Sequence, residues 1–130
     1  MSLLNLKNKR VLIVEDDDMS YMYLNQLFIL TKCIIFRAES GSEAMEMFLN
    51  NRFDLILMDI HLPDQDGNRV TREIRLSDSK IPIIAQTAGK TFEEKRKALE
   101  AGCNEVIVKP FSMEELYDAV RRYVDSDGEE

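Results

Sequence analysis

Five polar side chains stand at or just beyond the ends of short apolar runs in this chain. Glu15 and Asp16 follow the run 11–14, Asp59 follows 55–58, Thr87 comes two residues after 81–85, and Lys109 follows 106–108. If these runs lie side by side in one sheet, three carboxylates, a hydroxyl and an ammonium share its rim. Crowded carboxylates repel and raise one another's pKa unless a cation intervenes. Lys109 supplies one positive charge. The remaining charge calls for a divalent metal with oxygen ligands, and Mg²⁺ suits a site of one or two carboxylates, a carbonyl, waters and a phosphoryl group. With the pocket neutralised, Asp59 becomes a nucleophile toward phosphorus and would form an aspartyl phosphate. Lys109 and Thr87 would bind the phosphoryl oxygens, so that positioning and electrostatics carry the reaction without a general base on the protein. Each residue alone has a plainer reading. One of Asp16, Asp17 and Asp18 could cap a helix, Asp59 could start a loop, Thr87 could be a strand residue and Lys109 a solvated charge. Their joint placement at four strand ends is what favours a site.

The elements that would position them alternate along the chain. The apolar runs 11–14, 33–36, 53–58, 81–85 and 106–108 read as short buried strands. Between them, Met19, Tyr23, Leu27 and Leu30 are spaced for one helix face, with Asp17 or Asp18 as N-cap. Ser40 and Glu43 read as a capping box opening a helix that turns Ala44, Met47 and Phe48 inward. Pro63 and Gly67 fall in the loop after Asp59, and Val70 and Ile74 lie on one face of the helix that follows. A charged helix from about Thr91 to Ala101 ends at Gly102, a suitable left-handed cap. Ser112 and Glu115 form a second capping box, with Phe111 and Leu116 as its staple. The stripe of that last helix is Leu116, Ala119, Val120, Tyr123 and Val124. Strict alternation with apolar strands predicts an α/β fold with a parallel sheet covered on both faces. We expect a flavodoxin-like, doubly wound, five-stranded (βα)5 sheet in three α/β/α layers. The strand order would be 2-1-3-4-5, with ligands bound beyond the carboxyl ends of the strands.

The chain has 130 residues, 45% hydrophobic and 32% charged, with a formal net charge of −7. That is one ordinary domain, read as a tail over 1–8, a folded unit over 9–124 and a tail over 125–130. Residues 1–3 read as an expression scar. The acidic balance argues against nonspecific nucleic-acid binding. No apolar run reaches membrane-spanning length and no secretory signal is visible, so a cytoplasmic address is expected. Cys33 and Cys103 read as free, buried thiols, and with a single histidine the chain lacks the clustered ligands of a zinc site.

From about residue 9 to 124 the sequence resembles the receiver (response-regulator) domain family of two-component phosphorelay signalling. The resemblance rests on the run 11–14 followed by Glu15-Asp16, on Met58-Asp59-Ile60-His61-Leu62-Pro63-Asp64-Gln65-Asp66-Gly67, on Thr87-Ala88 and on Lys109-Pro110-Phe111. It implies that Asp59 is the phosphoacceptor, with Thr87 as switch hydroxyl and Lys109 as phosphate-binding lysine. It implies that Asp16 and Asp59 bind Mg²⁺ directly, Glu15 acts through water, and the backbone carbonyl of His61 is the third protein ligand. A cis Lys109–Pro110 bond is implied too. The His61 side chain would sit at the mouth of the site and tune how fast water reaches the phosphoryl group; simple exposure is the plainer reading, and metal ligation by its imidazole is disfavoured.

The phosphoryl donor would be a phosphohistidine on a histidine kinase or phosphotransfer domain, docking through the first helix, where Tyr21, Met22 and Phe28 are candidate contacts. The domain would be a monomer or a weak phosphorylation-linked dimer. It reads as a receiver excised from a hybrid sensor kinase in preference to a stand-alone regulator, and as a signalling domain, not an enzyme acting on other substrates. One departure stands out: three residues before Lys109 the family usually carries Tyr or Phe, and this chain has Val106. A pseudo-receiver that signals by binding alone would usually lack Asp59, Lys109 or the acidic pair. A haloacid-dehalogenase phosphatase would need a second Asp where this chain has His61. A flavodoxin would need a hydroxyl- and glycine-rich phosphate loop where Glu15-Asp16-Asp17-Asp18 stands.

Overall fold

The computed structural model describes residues 4–89 and 91–124; the expected scar at 1–3 and tail at 125–130 lie outside the described residues. The elements are β1 (Arg10–Val14), α1 (Asp18–Ile29), β2 (Ile34–Ala38), α2 (Gly41–Asn50), β3 (Leu55–Asp59), α3 (Gly67–Ser77), β4 (Ile83–Thr87), α4 (Phe92–Ala101), β5 (Glu105–Val108) and α5 (Met113–Tyr123). All strand pairs are parallel, as the alternation required, and the order is β2-β1-β3-β4-β5, the flavodoxin-like one expected. The order reverses between β1 and β3, and this opens a crevice at their carboxyl ends.

Alternate residues of each strand face opposite layers. Val11, Ile13, Leu55 and Leu57 pack with Leu24, Leu27 and Phe28 of α1 and Leu116, Tyr117, Ala119 and Val120 of α5. Leu12, Val14, Ile56 and Met58 pack on the other face with Ala44 of α2, Val70 and Ile74 of α3 and Ala98 of α4. Both faces of β3 and β4 are buried along their full length, so their rims are held rigidly.

Several local expectations need correction. Neither Met19 (79% exposed) nor Tyr23 nor Leu30 is on the inward stripe of the first helix, which is Leu24, Leu27 and Phe28. Eight of the twelve positions of α1 are apolar or aromatic, so spacing alone could not choose its face. On α2, Ser40 accepts from the Glu43 amide, but the Glu43 carboxylate accepts from Glu39 N, one residue short of a capping box. On α5 the capping box is complete. There Tyr117, not Tyr123, is the buried aromatic; its hydroxyl donates to Leu27 O, while Tyr123 reaches out to Asn104 O. Leu4 and Leu6, within the stretch expected to be a tail, are buried against the α1–α5 side, and Leu6 N donates to Thr31 O at 2.7 Å. β4 begins after Pro82 and carries Gln86 and Thr87 inside the sheet, because no polar break interrupts the ladder before them. Cys33 is half-buried and Cys103 buried, both free.

Candidate functional site

Register brings the rim together. Val14 pairs with Met58, so Glu15 and Asp59 emerge one residue beyond the same rung, and Asp59 is level with Gln86 on β4. Glu15, Asp16 and Asp59 each offer a carboxylate oxygen within 4.8 Å of the others. Glu15 and Asp59 are buried while Asp16 is exposed. Lys109 Nζ lies 3.0 Å from Glu15 Oε1 and 3.7 Å from Asp59 Oδ2. The cation thus stands between the two buried carboxylates. Asp59 Oδ1 accepts from His61 N at 3.1 Å, and Glu15 Oε2 accepts from Asp17 N at 3.2 Å.

Burial first, and the Asp59 charge second, push the Glu15 carboxyl up to about 7, although Lys109 pulls it down. Like charges at this distance hold protons unless a cation is added. The set consists of hard oxygen donors, one of them exposed, with negative charge in excess of the single lysine. That donor set fits a small divalent ion such as Mg²⁺, which commonly keeps several waters.

The remaining expected residues fall close by. Thr87 is fully buried at the end of β4; its Oγ1 accepts from Gly89 N at 2.9 Å, and its carbonyl accepts from Lys109 N at 2.8 Å. The Lys109–Pro110 bond is cis. The His61 imidazole is exposed, and its Nε2 lies 3.8 Å from Glu94 Oε2 on α4. Val106 is partly buried against the α2–α4 side of the core.

Gly67 explains the length of the loop after Asp59. A Cβ there would lie 2.2 Å from the Asp59 carbonyl oxygen, so only glycine lets α3 begin against the end of β3. Asp64 ties the same loop to α2, its carboxylate accepting from Gly41 N at 2.8 Å and from Ser42 N at 3.0 Å.

Two neighbours went unread in the sequence. Gln86 is fully buried and donates from Nε2 to Glu15 Oε1 at 3.2 Å, while its Oε1 has no hydrogen-bond partner among the described residues. A polar residue directly after the run 81–85 was the available signal. Arg37 on β2 reaches the backbone of Glu15 and Asp16; nothing in its sequence context marks that reach. Beside Lys109 a cavity of about 560 Å³ opens, lined in part by Met19, Tyr23, Gln86, Pro110 and Phe111. Of the three candidate contacts on α1, Met22 is exposed and Tyr21 half-buried, but Phe28 is wholly inside the core and cannot touch a partner.

Fold and rim together define a doubly wound α/β domain with an acidic, lysine-bridged crevice. A profile described as the response regulator receiver domain matches residues 11–121, and the chain belongs to that family. Regulatory protein AtoC of Escherichia coli is 34% identical over 113 residues, covering 87% of this chain but 24% of AtoC. Response regulator MprA of Mycobacterium is 32% identical, and there the chain spans 49% of the relative. Sporulation initiation phosphotransferase F of Bacillus subtilis is 29% identical over 119 residues, covering 92% of this chain and 96% of that protein. Among solved structures, the receiver domain of sensor histidine kinase PA1611 from Pseudomonas aeruginosa superimposes with a TM-score of 0.83 at 31% identity. The match covers 89% of this chain and 97% of that one, which holds a magnesium ion in its active-site cleft. The chain is thus a receiver domain of two-component signalling with an acidic pocket. Among the described residues no helix is long and apolar enough to cross a membrane.

Proposed function

We propose that this domain relays a signal by accepting a phosphoryl group on Asp59 from a phosphohistidine. The observation that carries this reading is the buried Asp59 carboxylate, held beside Glu15, Asp16 and the Lys109 ammonium. Asp59 would attack phosphorus, forming an oxygen–phosphorus bond as the phosphorus–nitrogen bond to the donor imidazole breaks. The electron pair returns to that nitrogen, and the three phosphoryl oxygens keep their charge. Asp16 and Asp59, with the His61 carbonyl, would hold Mg²⁺, and Glu15 would act through a bound water. Bound there, the ion supplies positive charge beside the phosphoryl oxygens. Lys109 and Thr87 then take the equatorial oxygens, for which Thr87 Oγ1 must exchange its present Gly89 contact.

The donor is a helical phosphohistidine-bearing domain. It docks over the Asp59 loop and α1, where Met22 is exposed and Met19, also exposed, lines the cavity beside Lys109 and Phe111. The likeness to a receiver carried by a sensor kinase supports reading the chain as part of a hybrid kinase. A cytoplasmic address belongs to the same reading. Aspartyl phosphate would bias two arrangements of the segment after Thr87, without the aromatic switch residue that Val106 replaces.

The test is transfer from a labelled phosphohistidine domain to wild type and Asp59→Asn. The wild type gains label in Mg²⁺ and the variant stays unlabelled while keeping its circular dichroism spectrum. Labelling of the variant at wild-type level would overturn the assignment.

A further inference from the structure

Arg37 leaves β2 beside the acidic loop. It pairs with Ile13 in the ladder, so its side chain rises on the α1 side of the sheet, two residues from where Glu15 leaves β1. Its Nε donates to Glu15 O at 3.1 Å, and its Nη2 donates to Asp16 O at 3.3 Å and to Asp18 Oδ1 at 2.9 Å. The guanidinium carbon lies 4.3 Å from the centre of the Tyr21 ring. One planar fork therefore holds two consecutive carbonyls and the first residue of α1, and an aromatic face fixes the fork in turn. Only 20% of the Arg37 side chain is exposed while its Asp18 partner is 81% exposed, so water competes least for the part-buried bond to Glu15 O.

The consequence concerns direction. Glu15 N is already held by Ala38 O at 2.9 Å, and Asp17 caps α1 by accepting from Ser20 N. Arg37 fixes the carbonyl side of the intervening turn, and with both sides fixed the carboxylates of Glu15 and Asp16 are aimed at Asp59. We propose that Arg37 is a positioning residue for the divalent-cation site, acting through the backbone of Glu15 and Asp16 without touching the ion. The inference rests on the Mg²⁺ reading given above.

Charge and positioning make opposite forecasts, which allows a clean test. Arg37 places a positive charge beside the acidic pair, and a charge acting alone would oppose a cation. Its removal should then tighten Mg²⁺ binding. If Arg37 instead positions the pair, its removal loosens binding, by about tenfold or more for an outer partner of a metal site. Lysine keeps the charge but cannot span both carbonyls with a planar fork, so Arg37→Lys should weaken binding as well.

Mg²⁺ affinity would be measured by titration calorimetry on wild type, Arg37→Ala and Arg37→Lys. Amide hydrogen exchange at Asp16 and Asp17 would be followed in the metal-free proteins, with the core amides of β3 as a folding control. We expect both variants to bind at least tenfold more weakly, with faster exchange confined to the acidic loop. Equal or tighter binding by Arg37→Ala would overturn the positioning role and leave the Mg²⁺ site standing. Wild type that binds no Mg²⁺ would overturn the cation reading itself, and the inference with it. Faster exchange in β3 as well as the loop would mark Arg37 as a general stabiliser and overturn the inference.

Discussion

Lys109 is the residue on which the electrostatics of the crevice turn. Its Nζ bridges Glu15 and Asp59 and offsets part of the burial and Asp59 repulsion that push Glu15 up to about 7. In the proposed reaction it binds the phosphoryl group, yet its charge opposes the metal. Lys109→Ala should therefore bind Mg²⁺ as tightly as wild type or more tightly, while losing the conformational response to phosphorylation. Titration calorimetry and the amide NMR shifts of β4 would check this pair of outcomes, and a marked loss of Mg²⁺ affinity would contradict the electrostatic account. At this scale the sequence was informative because Glu15, Asp59 and Lys109 each follow an apolar run directly and Asp16 comes next after Glu15. Gln86 and Arg37 also follow apolar runs, 81–85 and 33–36, but escaped because residue type says nothing about which way a long side chain reaches.

Short polar contacts at helix starts decide how the loops around the crevice are held. Backbone amides of Gly41 and Ser42 bring the Asp64 carboxyl down to about 2. A carboxyl depressed below the usual value of about 3.9 stabilises the fold above that pH. The contribution fades as pH falls through the folded value. Asp64→Asn should lower thermal stability at neutral pH and flatten its fall between about pH 4 and pH 2, read by calorimetric melts across that range. On α5, the complete capping box at Ser112 predicts a loss of about 1 kcal/mol for Ser112→Ala, measured by urea unfolding. Element types and order were readable from alternation alone, whereas the reciprocal bond of Ser40 and Glu43 was not. That bond depends on where the chain enters α2, and the Glu43 carboxylate finds Glu39 N first.

Across the molecule, the two layers of α/β packing separate what is structural from what is available to a partner. On α1, Phe28 is fully buried while Met22 is 60% exposed. Phe28→Ala should cost about 3–5 kcal/mol of stability. Met22→Ala should change stability by less than about 0.5 kcal/mol and slow phosphotransfer from a histidine-bearing donor, a contrast that paired urea melts and transfer rates would show. The periodicity of α1 could not make that distinction, because its outward face is apolar too; only the sheet chooses which side is core. The same packing places the acidic rim where the strand order reverses between β1 and β3, and the proposed chemistry depends on that placement. The most direct test is the intact mass of wild type and Asp59→Asn, each incubated with acetyl phosphate with and without Mg²⁺. The account predicts one phosphoryl adduct, on wild type only and in Mg²⁺ only. An adduct that persists in Asp59→Asn, or that forms equally well without Mg²⁺, would contradict it.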